Sequence, residues 1–135
     1  EWFPNGGTSD SFHGGSHHGD QPASMANYAQ LNRYHVSTLA YFAEKLKNTP
    51  DADGTLLDHS LIMYGTNMGN SNQHQHYDVP HILIGGANGK LKGGRFINHE
   101  RKTITTADLL LSVLDMYGIH RETQGDDSTG RLTKL

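Results

Sequence analysis

Ten histidines in a chain of 135 residues are the first chemical signal, because six of them fall in two short clusters. One cluster holds His13, His17 and His18, and the other holds His74, His76 and His81. Neutral imidazole is the commonest side-chain ligand for transition metals, so this clustering points to a metal. The opposing reading is a polar loop, or a network in which imidazoles hydrogen-bond to backbone and tie two loops together. His13 and His17 are spaced i, i+4, which on a helical turn would put both on one face. Gly14 and Gly15 between them argue against a regular helix, and predict instead a tight backbone path that folds both rings inward. His18 would then point the other way, as support behind the ligands or as a catalytic acid–base group.

Other reactive side chains carry weaker signals. Ser16 lies between Gly15 and His17, but its surroundings are not a Gly-x-Ser-x-Gly elbow, and a loop or cap hydrogen bond suits it better than a nucleophile's role. Asn67 and Asn72 could meet an anion, although asparagines in such loops more often make turn hydrogen bonds. His35 and His81 lie on apolar stretches and read as core histidines. His59, His99 and His120 carry no functional reading. The run Gly85-Gly86-Ala87-Asn88-Gly89-Lys90 lacks the Gly-Lys-Ser/Thr ending of a phosphate loop and leads into a strand, so it reads as a turn.

The elements that must position these groups follow from periodicity. Residues 1–24 are rich in Gly, Ser, Asp and Pro without a repeat, and read as one long His-rich loop. From about Met25 to Asn48 the apolar residues Tyr28, Leu31, His35, Leu39, Phe42 and Leu46 step by three or four, which predicts a helix with Ser24 as N-cap and Pro50 just past its end. Residues 60–66 (SLIMYGT) and 79–85 (VPHILIG) are short apolar runs, as expected of buried strands in a parallel sheet covered on both faces. The polar loop 67–78 between them leaves the end of a strand, where α/β folds place ligands. Residues 95–98 read as a further short strand. Thr105 with Asp108 three residues on makes a capping-box start for a second helix, whose apolar face is Leu109, Leu110, Val113, Leu114 and Tyr117, with Gly118 at its C-terminal turn.

Composition sets outer limits. Apolar residues are 34% of the chain and glycine contributes 16 residues, so long loops are expected. A net charge of −3 with scattered basic residues gives no nucleic-acid or membrane surface, and no run approaches a membrane span. The absence of cysteine removes disulfides and zinc–thiolate sites. Two helices and two main strands cannot complete a doubly wound sheet. The chain is therefore expected either to pair with other copies as an oligomer or to be one piece of a larger domain, and its start at Glu1 suits a processed product or a piece of a longer chain.

The string His13-Gly14-Gly15-Ser16-His17-His18 matches the HxxSHH motif that names a bacterial family of unknown function. The resemblance continues through Asp53-Gly54-Thr55-Leu56-Leu57-Asp58, Gly69-Asn70 with His74 and His76, Pro80, Gly85-Gly86, Lys92-Gly93-Gly94, and Gly125 with Asp127-Ser128-Thr129-Gly130. The whole chain, 1–135, resembles the C-terminal third of that family's members. More distantly, the order strand, polar His loop, Gly-Gly strand and Thr-capped helix resembles the closing segment of the alkaline phosphatase and sulfatase superfamily. The resemblance implies an α/β fold in which 25–135 supplies a helix-strand-strand-helix portion of an alkaline-phosphatase-like sheet. It also implies a divalent metal (zinc, iron or manganese) and hydrolysis of small anionic phosphate, sulfate or related esters. The superfamily's first ligand pair falls on His13 and His17, its strand-end Asp-His pair on Asn67 and Met68, and its last histidine on His74 or His76. Asn67 and Met68 are poor replacements for that pair. Its nucleophile would come from the N-terminal remainder of the parent protein. Family members commonly carry export signals, which implies a periplasmic or cell-surface location. The alternative is a non-catalytic exported protein that keeps the fold and uses its His-rich loops for binding or assembly.

Overall fold

The structure, a computed structural model, describes residues 11–101 and 103–135. The first ten residues, part of the expected N-terminal loop, lie outside the described residues. The chain divides into two compact units, one made of Glu1–Asn48 with Gly65–His81 and the other of Thr49–Tyr64 with Ile82–Leu135. Among the described residues no helix is long and apolar enough to cross a membrane.

The first unit opens with a helical turn, α1 (Phe12–Ser16), where sequence alone predicts loop. Each glycine in a helix costs about 1 kcal/mol relative to alanine. Three things offset that cost at Gly14 and Gly15. The Ser11 hydroxyl accepts from the Gly14 amide at 3.0 Å, and the Ser11 carbonyl accepts from Gly15 at 2.8 Å. Gly15 and Ser16 are buried. The Phe12 ring packs on the next helix, 5.5 Å from Tyr28 and 4.9 Å from His35. That helix, α2 (Pro22–Lys47), begins three residues before the expected Met25, with Gln21 rather than Ser24 as N-cap. Proline at the first helical position sets φ without losing a needed hydrogen bond, which explains the earlier start. Leu31 is fully buried at the centre of the expected stripe, while Phe42 on the same stripe is 51% exposed. Lys45 and Lys47 sit in the last turn, where cations oppose the helix dipole.

In the second unit, β1 (Pro50–Asp51) and β2 (Gly54–Thr55) form an antiparallel hairpin around Ala52 and Asp53. It leads into α3 (Leu56–His59), a turn of helix closed by a capping box between Thr55 and Asp58. The strands β3 (Ile62–Gly65) and β4 (His81–Ile84), whose end residues Gly65 and His81 are counted with the first unit, pair with each other. They run antiparallel, correcting the parallel expectation: Gly65 abuts Pro80 and His81, while Gly85, just after β4, abuts Ser60, just before β3. Apolar runs carry no information on strand direction. Nor are both faces covered, since Ile82 is 43% exposed. Residues 95–98 form no strand.

The helix α4 (Thr106–Met116) has the capping box of Thr105 and Asp108 that the sequence predicts. At its other end Gly118 adopts φ +75°. The Gly118 amide donates to Asp115 and the Ile119 amide to Leu114, the paired bonds of a Schellman turn. The mixed α/β class is plain in these elements.

Candidate functional site

The histidine clusters meet inside the first unit. α1 carries His13 on its single turn and ends at His17, its C-cap residue. The two rings stand edge to face with centroids 4.9 Å apart. His17 stands in the same way to His74, at 5.0 Å. The three imidazoles form a row with His17 in the middle, along a cleft of about 190 Å³.

The third ring arrives on a turn pinned from several directions. The Gly69 amide donates to the Gln75 carbonyl at 2.9 Å, the Gln75 amide to Asn70 at 3.0 Å, and the Gln73 amide to the Asn70 side chain at 3.2 Å. Gly69 has to be glycine, because a Cβ there would lie 2.0 Å from the Tyr77 carbonyl. His74 itself sits at φ +51°, a conformation that costs a non-glycine residue on the order of 1 kcal/mol or more. Two further bonds hold this turn to the α1 end. The Ser71 hydroxyl donates to the Ser16 carbonyl at 3.0 Å, and the Asn72 side chain accepts from the Gly19 amide at 2.9 Å. Neither role is visible in the sequence, because both bonds span more than fifty residues. Asn72 is thus a structural tie.

Asn67, Met68 and Thr66 line the cleft with the three imidazoles, and Phe12 and Tyr28 supply an aromatic side. His76 is exposed and does not line it. His18 does not line it either, and its side chain is 10% exposed. Its Nδ1 accepts from the Asp20 amide at 3.1 Å, which leaves Nε2 as the proton-bearing nitrogen of the neutral ring. The Ser16 hydroxyl donates to the His13 carbonyl at 2.7 Å, so its proton is already committed to the loop.

Two imidazoles on one zinc, with Zn–N bonds of about 2.0–2.1 Å, have ring centres roughly 5 Å apart. The pairs His13–His17 and His17–His74 fit that spacing. Among the described residues, however, no group of three or more His, Cys, Asp or Glu is placed to hold a metal ion. The spacing matches a pair of ligands and no more.

The second unit holds two polar clusters that the sequence does not advertise. His59 bridges Asp51 and Asp53, with Nδ1 2.9 Å and Nε2 3.1 Å from their carboxylates. Asp108 is 1% exposed and joins α4 to residues 129 and 130 of the tail. Burial alone would push its pKa up, but the amides of Thr105, Thr129 and Gly130 and the Thr129 hydroxyl hold it below the ordinary carboxylate value.

In comparisons with protein-family models, curated proteins and solved structures, none matches this chain.

Proposed function

We propose that the cleft binds one borderline divalent metal (zinc, iron or manganese) through His17 with His13 or His74, as part of a metal-dependent hydrolase of small anionic esters. The observation that carries this reading is the row of three imidazoles along one cleft, two of them on α1 and its cap and the third on a strained turn. A metal held there would supply Lewis-acid stabilisation of charge on a phosphate or sulfate group. The chain's own contribution is orientation: Ser71 and Asn72 tie the His74 turn to α1, and His18 braces the loop behind His17. The nucleophile is assigned to an N-terminal remainder of the parent protein. The HxxSHH resemblance supports that division, together with an alkaline-phosphatase-like sheet, export, and periplasmic or cell-surface placement. Assembly with further copies belongs to the same proposal.

A second reading, a non-catalytic exported binding or assembly protein, draws on two observations. Asn67 and Met68 occupy the cleft where the superfamily's Asp-His pair would stand. The Ser16 hydroxyl is engaged by backbone. Elemental mass spectrometry on the purified parent protein, beside His17→Ala and His76→Ala variants, tests the metal assignment. About one equivalent of metal, lost with His17→Ala and kept with His76→Ala, upholds the site and justifies a screen of aryl and alkyl phosphate and sulfate esters. Absence of metal after refolding with zinc, iron and manganese rejects it, and hydrolysis absent from a metal-loaded protein leaves the binding reading in front.

A further inference from the structure

We propose that Asp51, His59 and Asp53 form a proton-operated latch that fixes how residues 85–88 rest on α3. The argument starts from donor counts. A carboxylate accepts hydrogen bonds and donates none, while a neutral imidazole has a single N–H. Here both ring nitrogens of His59 face carboxylate oxygens, Nδ1 at 2.9 Å from Asp51 and Nε2 at 3.1 Å from Asp53. Both contacts are hydrogen bonds only when both nitrogens carry protons. With one proton removed, a nitrogen lone pair faces a carboxylate at about 3 Å, and the ring must swing away from one side. The arrangement is therefore complete only for the imidazolium.

A third carboxylate acts on that ring through space. It belongs to Asp58 on α3, and its Oδ2 accepts from the Thr55 amide at 2.8 Å and the Thr55 hydroxyl at 2.7 Å. The segment 85–88, Gly-Gly-Ala-Asn, has no ionisable side chain, and Lys90 beyond it donates to the Met116 carbonyl. The carboxylates within hydrogen-bond distance of His59 are thus the two of the hairpin. Asp51 first, and then Asp53, hold its pKa above the ordinary histidine value.

The latch matters because His59 ends α3, and the last carbonyls of a helix need donors. Residues 86–88 provide them: the Gly86 amide donates to Leu57 at 2.9 Å, Ala87 to Ser60 at 3.0 Å and Asn88 to Asp58 at 3.0 Å. The approach leaves no slack, since a Cβ on Gly86 would lie 2.5 Å from the Asp58 carbonyl. A swing of His59 is passed to these three bonds. The sign follows from the raised pKa: the latch is fully closed below the unfolded-state value of about 6.5 and opens as pH rises through the higher folded value.

Nuclear magnetic resonance on the full chain, from about pH 5 to 9, tests this. The His59 ring is titrated, and amide-exchange protection factors are read at Gly86, Ala87 and Asn88. The expected result is a His59 midpoint above that of free histidine and a several-fold loss of protection at the three amides across the same midpoint. In an Asp51→Asn/Asp53→Asn variant the midpoint falls back and the pH dependence of protection disappears. A His59 midpoint at or below the free value overturns the latch. So does protection that stays constant while the ring titrates, or an unchanged midpoint in the double variant.

Discussion

Asp108 accepts four hydrogen bonds on two oxygens. The Thr105 amide and Thr129 hydroxyl donate to Oδ2, and the Thr129 and Gly130 amides donate to Oδ1. Replacing it leaves several buried donors without an acceptor, so Asp108→Ala is expected to lower stability by about 2–4 kcal/mol in chemical denaturation. Thr105→Ala, which removes half of the cap, should cost about 1 kcal/mol. The exposed Asp127→Ala should stay within about 0.5 kcal/mol. At the candidate site a different grading is expected. His17 belongs to both imidazole pairs, so His17→Ala should weaken metal uptake more than either His13→Ala or His74→Ala, as read by calorimetric titration. The sequence marks Asp108 as a helix cap because its partner Thr105 is local. Its bonds to the tail, 21 and 22 residues away, leave no local signature. His59 is the same kind of case, since Asp51 and Asp53 become its partners only once the hairpin folds them back on it.

Among the elements, those carrying their own start and stop signals were legible. α4 is bounded by a capping box and a Schellman glycine, and the stripe of α2 is long enough to define a period. α3 has the same Thr-x-x-Asp signature at Thr55 and Asp58, and escapes notice because it is only four residues long. α1 is hidden for the opposite reason, its glycines opposing a helix that Phe12 packing and the Ser11 cap impose. Strand pairing was visible as two apolar runs, but its antiparallel sense depends on the close passage of Gly65 and Gly85 against the opposite chain. That passage makes a prediction about loops. Gly85 has φ +118°, and a Cβ there would stand 2.3 Å from the Ser60 carbonyl, so Gly85→Ala should be severely destabilising. Gly89, at φ +78° with open space around it, should tolerate alanine at roughly 1 kcal/mol. Thermal melts of the two variants compare steric clash with backbone strain.

Within residues 49–64 and 82–135, three carboxylates are held below their ordinary range. Thr55 holds the Asp58 carboxyl below its ordinary value, the buried donors do so for Asp108, and Arg131 and His120 do so for Asp115. Groups with depressed pKa contribute stability that is present above the unfolded value of about 4 and lost as pH falls through the folded one. Acidification is therefore expected to reduce amide protection in α3 and α4, and Arg131→Ala should make the loss at α4 begin from a weaker starting point. His13, His17 and His74, singled out from sequence by residue type, line one cleft. That His76 stays off the cleft lining, and that Ser71 and Asn72 act as braces, were not legible, since both depend on how the 65–81 segment turns. The seam between α4 and the tail also bears on order of synthesis. Ser112 accepts from the Leu132 amide at 2.8 Å, just as Asp108 waits for Thr129 and Gly130. A ribosome delivers α4 well before those partners emerge, and domains generally fold as units from the N-terminal side. Until Gly130 has cleared the exit tunnel, the nascent helix holds a charged acceptor with three of its four donors missing, exposed meanwhile to chaperones and proteases.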